Sequence, residues 1–585
     1  MRAVQRIPVL LLTLVLVLGS ASAAISSTPL PPGNKDYKVF GYNNLGMHCY
    51  DPDFSVFSLL PPFNVLRAQV IYKGGNLPKL LTNSNVNVTY SGTSDPSDSI
   101  NLTSRDKTNF WDYISALFGV SRPVDVGITG AMMPGTTNAL RRFQFEQPYK
   151  PFLLSDPRWF MAAGVPITDL DDSFSSNPYP LMRIQAWDRQ GKGPLSSTDI
   201  VVPVSSEMNC ASCHETGMDA ASTPAGSTDF HGLTDDAWSQ DPNPIIRYKE
   251  NILTLHDAMN GTTLMNSRPV LCASCHYSKA LDLSGKGTQG AQKGKLFLSL
   301  AIHRHHGLPA GPGANTNQGV IPIPEPDSGP SVTTCYFCHP GSDTQCLRSV
   351  MAQKGLVCQS CHSGLTTIGG VDANGNEIHL ANGKVRQPWT DLPKCQSCHT
   401  GDATDHMGNS LVLLQAYNDG DAAANPRIAS NTRFAEQAGR LYQMSAGHGS
   451  VSCEACHGST HAEWPGRSPS NDDITATELQ GHTGPIVECA TCHKKPIVPG
   501  LNGPHGMHAV NDASWNKLHG RLCGRDNATC MACHGTDLTG TVLSKTHAQR
   551  NLLAKGKIPV VIPFGTPVAC STCHPGKYSP PPIAN

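Results

Sequence analysis

One five-residue pattern, Cys-x-x-Cys-His, occurs nine times in this chain of 585 residues. Its cysteines are Cys210, Cys213, Cys272, Cys275, Cys335, Cys338, Cys358, Cys361, Cys395, Cys398, Cys453, Cys456, Cys489, Cys492, Cys530, Cys533, Cys570 and Cys573. The histidines that close the nine patterns are His214, His276, His339, His362, His399, His457, His493, His534 and His574. The chain's own Cys and His frequencies predict roughly 0.03 matches by chance, so the repetition is not accidental.

This pattern is the signature of covalent haem attachment. The two thiols add to the two vinyl groups of a haem, so they must project from one short turn at the porphyrin edge. The histidine that follows then lies under the iron and supplies its proximal imidazole. Zinc ribbons and disulfide scaffolds also use paired cysteines, but neither requires a histidine after every second cysteine. The sequence therefore predicts nine haem c groups, each with a motif histidine as an iron ligand.

Histidines are in surplus, because 15 of the 24 lie outside the motifs. A second histidine on each iron would lower the reduction potential relative to His/Met ligation and would close the iron to substrates. From their positions around the motifs we predict these distal ligands: His256, His303, His306, His406, His448, His461, His482, His508, His519 and His547. His231 and His505 stay open alternatives, and His379 lies in a Gly/Asn-rich loop that disfavours it. Met407, Met444 and Met507 are interpreted as core residues rather than ligands.

The N-terminus has the features of a secretory signal at residues 1–23. Arg2 and Arg6 precede an apolar run at residues 8–18, and Ala21 and Ala23 follow it at the expected cleavage region. The run is too short to span a bilayer, so a membrane anchor is the weaker reading. We expect an exported protein, in the periplasm or at the cell surface, with no membrane span in the mature chain.

The net charge is −1 and no basic run is present, which argues against a nucleic-acid partner.

Residues 24–205 contain no motif and are predicted to form a β-rich haemless domain, with a sandwich as the topology we consider first. Segments 37–42, 65–72, 85–90 and 181–187 are rich in alternating or β-branched residues, and segment 109–118 has a helical pattern. The motifs then divide into a haem module at 206–307 with haems 1–2 and another at 334–585 with haems 3–9. A Pro/Gly-rich stretch at 308–333 is interpreted as the linker between them.

Composition favours an interior that side chains alone do not fill. Aromatic residues are only 6% and hydrophobic residues 39% of a chain with 54 Gly and 46 Pro. The predicted fold class is a multihaem cytochrome c with little regular secondary structure, in which short helices and loops wrap around a haem array after a β-rich N-terminal domain.

Three cysteines lie outside the motifs: Cys49, Cys346 and Cys523. In an oxidising compartment two of them can pair, and Cys346 with Cys523 is the pairing we consider first. Cys49 follows Met47 and His48, a set that would suit a metal or a distal haem ligand. The alternative is a buried thiol beside a histidine in a turn, which is common for cysteine.

The repeated motifs with surplus histidines resemble the multihaem c-type cytochromes of metal-respiring bacteria. The phrases at residues 41–51 (GYNNLGMHCYD) and 201–214 (VVPVSSEMNCASCH) are similar to one group of them, in which a haemless region precedes the haem array. The resemblance implies electron transfer to redox partner proteins or to an extracellular acceptor such as a metal oxide. Some members of the group polymerise, so a homo-oligomer or filament stays open.

The function predicted is electron transfer through nine covalently bound, mostly bis-histidine haems, in anaerobic or extracellular respiration. The alternative is a multihaem reductase of a small nitrogen or sulfur oxyanion. Nitrite reductases of that kind usually have Lys in place of one motif His, whereas all nine positions here are His. No separate catalytic constellation is visible, so we predict an electron carrier and assign no catalytic residue.

Overall fold

The structure is a computed structural model that describes residues 29–307, 333–341, 343–353, 355–372, 374–380, 383–387, 391–399, 416, 432–461, 473–495, 500–510, 512–523, 527–554 and 558–574. The predicted signal segment at 1–23 and all but one residue of the predicted linker at 308–333 lie outside these ranges.

The described strands are β1 Tyr37–Asn43, β2 His48–Cys49, β3 Phe57–Ser58, β4 Phe63–Tyr72, β5 Lys79–Leu80, β6 Val86–Thr93, β7 Arg141–Arg142, β8 Gln144–Glu146, β9 Trp159–Pro166, β10 Leu181–Asp188, β11 Pro194–Val201, β12 Val204–Ser205, β13 Val270–Leu271, β14 Arg550–Ala554 and β15 Ile558–Ile562. The described α-helices are α1 Phe110–Phe118, α2 Ala211–His214, α3 Pro244–Asn260, α4 Leu298–Gly307, α5 Thr333–Tyr336, α6 Val350–Gln353, α7 Cys358–His362, α8 Leu365–Ile368, α9 Cys395–Cys398, α10 Cys453–His457, α11 Ile474–Gln480, α12 Ala513–Cys523, α13 Asn527–His534 and α14 Cys570–Cys573.

Two antiparallel sheets form the N-terminal region. One has the order β1-β4-β9-β8, with β5 also on β4, and the other has the order β11-β10-β6-β7. Strands β1, β4, β6 and β10 occupy the four segments predicted as strands, and α1 occupies the predicted helix. Side chains from both sheets share one core cluster, for example Leu66 and Val70 of β4 with Val88 of β6 and Ile184 of β10. The two sheets therefore pack against each other around an ordinary apolar core.

Glycine allows β1 to approach the second sheet closely. A Cβ atom at Gly41 would lie 2.7 Å from Cγ2 of Ile200 and 2.8 Å from Cγ1 of Ile184, which is closer than carbon atoms pack. The absence of a side chain at this position lets both isoleucines fill the core.

The outer face of the first sheet is also buried, because the C-terminal half of the chain packs on it. Phe40, Tyr42 and Ile71 form a cluster with Ala455 of α10 and Leu479 of α11. This explains why the strands are buried on both faces instead of alternating between core and solvent. The N-terminal sheets thus provide the platform on which the motif-bearing region lies.

Two buried ion pairs join this platform to the rest of the chain. Arg67 of β4 lies 3.1 Å from Glu454, inside the sixth motif, and donates a 2.6 Å hydrogen bond to the carbonyl of Gln443. Lys249 of α3 lies 2.9 Å from Asp51. Both members of each pair are almost fully buried, so the surrounding structure must hold them in place.

Beyond residue 205, most of the described elements are short and loops dominate. The longest helix, α3, begins with Asn243 accepting a hydrogen bond from the amide of Ile245, has Pro244 in its first turn, and ends at Gly261 with φ of 63°. Strands β14 and β15 pair as an antiparallel ribbon. Among the described residues, no helix has the length and apolar character needed to cross a membrane.

Candidate metal and cofactor sites

Each of the nine motifs lies on a single helical turn. Six begin or end a short α-helix at α2, α7, α9, α10, α13 and α14, one overlaps α5, and two form 3₁₀ turns at Cys272–Ser274 and Cys489–Thr491. In several motifs the amide of the histidine donates a hydrogen bond to the carbonyl of the first cysteine. The N···O distance is 2.9 Å from His214 to Cys210 and 2.8 Å from His493 to Cys489. Residues i, i+3 and i+4 of a helical turn share one face, so both thiols and the imidazole project to the same side.

Most of these faces open into one connected cavity of about 4160 Å³. That is roughly four to fourteen times the volume of an ordinary small-molecule pocket. Fifteen of the eighteen motif cysteines and seven of the nine motif histidines line it, together with many apolar side chains. Protein interiors are normally close-packed, so a void of this size points to large apolar groups that occupy it. Several porphyrins would fit this description.

Eight motif histidines lie opposite a histidine from elsewhere in the chain. The ring centroids are 6.2 Å apart for His214–His306, 6.5 Å for His276–His256, 6.0 Å for His339–His303, 6.1 Å for His362–His461, 5.8 Å for His457–His505, 6.2 Å for His493–His448, 6.3 Å for His534–His508 and 5.8 Å for His574–His519. Two imidazoles on opposite sides of one metal ion, with metal–nitrogen bonds near 2.0–2.1 Å, have centroids about 6 Å apart. The spacing therefore fits one iron atom between each pair.

These pairs differ from the sites that a zinc protein uses. A structural zinc site needs four Cys or His ligands arranged around one point. Within the part of the chain that the structure describes, no group of three or more His, Cys, Asp or Glu side chains is arranged to hold a metal ion. The geometry is one of facing imidazoles with thiols beside them, which suits an axially ligated porphyrin.

The ninth motif histidine, His399, has a ring centroid 6.2 Å from that of Phe434. The backbone of His399 is held by the motif turn, because its amide donates a 2.8 Å hydrogen bond to the carbonyl of Cys395. His406, which we predict as a distal ligand and which follows this motif by seven residues, lies outside the described residues. Its assignment stays a prediction.

Backbone carbonyls orient the facing rings. Nδ1 of His303 donates to the carbonyl of Ser299 at 2.7 Å, Nδ1 of His306 donates to that of Ile302 at 2.8 Å, and Nδ1 of His505 donates to that of Arg433 at 2.9 Å. A ring that donates from Nδ1 carries its lone pair on Nε2. Metal-binding histidines commonly show this second hydrogen bond, so these rings are prepared to ligate through Nε2.

Burial also keeps four of the motif imidazoles neutral. It lowers the pKa of His214, His362 and His457 to about 3 and the pKa of His339 to about 4, with neighbouring histidines adding to the effect. Only the neutral imidazole has a lone pair for a metal. The surroundings therefore favour the ligand form of these four side chains at neutral pH.

The structure places the ten predicted distal histidines in three groups. Seven face a motif histidine: His256, His303, His306, His448, His461, His508 and His519. His482 and His547 have other surroundings, and His406 is not described. His505, which the sequence left open, occupies the eighth facing position. Its spacing of three residues before His508 is the signal that would have favoured it, because His303 and His306 have the same spacing.

His482 uses both of its ring nitrogens within the protein. Nδ1 lies 2.8 Å from the carbonyl of Thr483, and Nε2 lies 3.0 Å from the carboxylate of Glu488. Both ring nitrogens of His482 therefore contact oxygen atoms of the protein. His547 lines the cavity and lies against Gly484, where a Cβ atom would be 3.0 Å from its Nδ1.

Cys49 lies close to Cys346 across the junction between the N-terminal sheets and the motif region. β2, which contains Cys49, pairs in parallel with β12, and Glu207 just after β12 accepts a 3.0 Å hydrogen bond from the amide of Thr344. Burial raises the pKa of Cys346, and the proximity of Cys49 raises it further. The side chain of Cys523 is not described, so the pairing of Cys346 with Cys523 is untested.

His48, next to Cys49, lines the cavity and has Nε2 3.2 Å from Oδ1 of Asn44. Burial lowers its pKa to about 4. Met444 lies with its sulfur 3.7 Å from Nη2 of Arg67, a packing contact in line with a core residue.

Comparison with known proteins identifies no relative of this chain. No family model matches it, and no curated protein or solved structure is similar to it. The functional argument therefore depends on the residues and their geometry.

Proposed function

We propose that this protein transfers electrons along a series of nine covalently attached c-type haems. The observation that carries the proposal is the set of eight facing histidine pairs, with ring centroids 5.8–6.5 Å apart, at motifs whose thiols lie beside them. Haem iron held between two imidazoles exchanges one electron between its ferric and ferrous states.

The chain's own residues would do three things at each of the eight sites with a facing pair. The two motif cysteines tether the porphyrin edge, the motif histidine and its facing histidine take both axial positions, and the backbone carbonyls hold the facing rings in one tautomer. Because protein side chains would take both axial positions at these eight sites, no substrate would reach their irons. An electron carrier needs these features, whereas a reductase needs at least one open iron position.

The cavity supports the same proposal at a larger scale. One continuous space holds most of the motif residues, so neighbouring groups would lie side by side without intervening domains. The lining is mostly apolar, which suits large apolar groups. Such a set of sites suits transfer between cofactors within one molecule.

The direct test is to produce the full chain with a c-type maturation system and to analyse the purified protein. We expect nine iron atoms and nine haems per chain, an intact mass that exceeds the mature polypeptide by nine haems, and only low-spin haem spectra. Replacing Cys570 and Cys573 by Ala should lower the count to eight, which controls for adventitious haem. Colourless protein, or zinc in place of iron, would refute the proposal, and a substantial high-spin fraction would favour the reductase.

Export and partners belong to the same proposal. The signal-like segment would direct the chain across the inner membrane to the compartment in which haem is attached. The mature protein would then begin near Ala24. N-terminal sequencing of the haem-loaded protein tests this, because an intact Met1 would contradict it.

Redox partner proteins or an extracellular acceptor such as a metal oxide are the proposed partners, and reduced protein should be reoxidised by ferric oxide under anaerobic conditions.

A further inference from the structure

The sites can be ordered in space, because several short segments carry ligands for two of them. We number sites 1 to 9 by the chain order of the motif histidines, from His214 at site 1 to His574 at site 9. A segment whose two histidines face different motif histidines must bring those two sites together. This criterion depends only on facing pairs and on chain connectivity.

Helix α4 joins site 1 to site 3. Its His306 faces His214 and its His303 faces His339. The two ligands are three residues apart, about 4.5 Å along a helix and on the same face. The thiol of Cys338 at site 3 also lies near Cys210 at site 1 and contributes to the raised pKa of the Cys210 thiol.

Helix α3 joins site 1 to site 2. The side-chain amide of its Asn251 donates a 2.9 Å hydrogen bond to the carbonyl of His214, and its His256 faces His276. Site 1 therefore lies between sites 2 and 3, although site 2 comes between them in the sequence.

Sites 3, 4 and 6 follow one another. Arg304 of α4, next to the site 3 ligand His303, donates a 3.1 Å hydrogen bond to the carbonyl of Gly369, which follows α8, and α8 begins three residues after His362 of site 4. His461 faces His362 of site 4 and follows His457 of site 6 by only four residues. Gly458, with φ of 64°, ends α10 and turns the chain back so that this short connection is made.

Site 5 lies beside sites 4 and 6. Phe434 lies between His399 of site 5 and His505, the ligand that faces His457 of site 6, with ring centroids 6.2 Å and 4.8 Å away. On the other side, Cys398 of site 5 packs against Ala416, whose amide donates a 2.8 Å hydrogen bond to the carbonyl of Ser360 in the motif of site 4. Site 5 is therefore a neighbour of both.

Two further segments leave site 6 in different directions. His505 faces His457 of site 6 and His508 faces His534 of site 8, again with a spacing of three residues. On another segment, His448 faces His493 of site 7 and precedes the first cysteine of site 6, Cys453, by five residues.

Site 9 follows site 8. Trp515 of α12 is stacked on His508 with centroids 4.2 Å apart, and it lies 6.1 Å from His519 of the same helix, which faces His574. An aromatic ring thus stands between the ligands of these two sites.

We propose that the electron path runs 2-1-3-4-6, with site 5 beside sites 4 and 6, and divides at site 6 into an arm that ends at site 7 and an arm through site 8 to site 9. The path then has three ends, at sites 2, 7 and 9, where electrons would enter and leave the molecule. This inference rests on the proposed function, since it orders the same nine sites.

The test is to locate the nine irons of the haem-loaded full chain by anomalous diffraction at the iron edge and to assign each to its motif. We expect the iron of site 1 to have sites 2 and 3 as its nearest neighbours, and the iron of site 6 to have sites 4, 7 and 8 among its neighbours. A path in sequence order, with site 2 between sites 1 and 3 or with no link between sites 6 and 8, would overturn the inference. Absence of haem would instead refute the proposed function.

A pair of matched variants tests the division at site 6 in solution. Replacing Cys453 and Cys456 by Ala removes the haem of site 6, and replacing Cys489 and Cys492 by Ala removes that of site 7. Removing site 6 should change the electron paramagnetic resonance signals of at least three other haems through lost spin coupling, whereas removing site 7 should change the signal of one. Equal effects of the two variants would overturn the division.

Discussion

At the residue scale, the two nitrogens of each imidazole decide which histidines are ligand candidates. His461 faces a motif histidine and has Nδ1 3.4 Å from the carbonyl of Leu45, which leaves Nε2 directed elsewhere. His482 also lies within seven residues of a motif in the sequence, but both of its ring nitrogens contact oxygen atoms of the protein. Position along the chain therefore does not separate the two, whereas the hydrogen bonds do.

We predict that His461→Ala converts one haem in nine to a high-spin form, because His362 would lose its facing ligand. The measurement is electron paramagnetic resonance or resonance Raman spectroscopy of the haem-loaded protein. His482→Ala is the control and should stay fully low-spin. A low-spin spectrum for His461→Ala, or a high-spin signal in the control, would contradict this assignment.

A second residue-scale prediction concerns the buried ammonium of Lys249. Its Nζ lies 2.9 Å from Asp51, 2.6 Å from the carbonyl of Asp53 and 3.0 Å from that of Phe57, with no exposure to solvent. Lys249→Met leaves the carboxylate of Asp51 buried without its cation, which should destabilise the protein by about 3–5 kcal/mol.

Urea unfolding of the haem-loaded protein measures this loss as a lower transition midpoint. Lys293→Met replaces an exposed lysine and should change stability by less than about 0.5 kcal/mol. If both variants unfold at the midpoint of the unmodified protein, the buried pair does not support the fold.

At the element scale, short helical turns carry the motifs, and longer elements attach them to the sheets. Helix α11 is one such attachment. Its Glu478 accepts hydrogen bonds from the amide of Asp199 at 2.6 Å and from the hydroxyl of Thr198 at 3.0 Å, both on β11. Arg183 of β10 holds Asp199 through two 2.8 Å contacts. Two carboxyl groups thus share one arginine at the contact between α11 and the second sheet.

This arrangement predicts that the contact between α11 and the second sheet contributes less to the stability of the fold as pH rises. Burial and the neighbouring Asp199 raise the pKa of Glu478 to about 8, from an ordinary value of 4.5. Between these values the folded state keeps a proton that the unfolded state has lost, so stability falls with rising pH and levels off above about pH 8. The slope from this one group is at most about 1.4 kcal/mol per pH unit.

The measurement is the thermal midpoint of the haem-loaded protein at pH 5 and pH 8, compared with that of Glu478→Gln. The unmodified protein should lose more stability across this range than the variant does, because the amide does not titrate. The same loss in both proteins would show that Glu478 is not responsible.

At the scale of the whole molecule, two kinds of interior lie side by side. The sheets bury a cluster of aliphatic and aromatic side chains that includes Phe54, Tyr90 and Phe160. The motif region instead surrounds a cavity of about 4160 Å³. The first interior is complete without any cofactor, whereas the second would lose its packing contacts if nothing occupied it.

We therefore predict that the full chain made without haem maturation is folded only in its N-terminal part. Hydrogen exchange should protect the amides of β1, β4, β6, β9, β10 and β11, whereas the motif segments after residue 205 should exchange rapidly. The haem-loaded protein should protect both regions and serves as the comparison. Equal protection of the motif segments in both forms would mean that side chains alone support that half of the molecule.

The sequence alone determined the local features of this protein. The motif spacing predicts nine short turns from which both thiols project together, and the structure shows these turns to be helical. Alternating or β-branched residues similarly predict β1, β4, β6 and β10, because such residues suit a pleated strand. These features depend on contacts within a few residues, so they can be recognised without knowing the fold.

The tertiary structure decided which distant residues meet. The facing pairs His214–His306 and His362–His461 join positions 92 and 99 residues apart, and no spacing rule predicts them. The contact of Arg67 with Glu454 likewise explains why a strand of the first sheet is buried on its outer face. Such contacts depend on how the whole chain closes around its cavity, and that information is spread over residues far apart in the sequence.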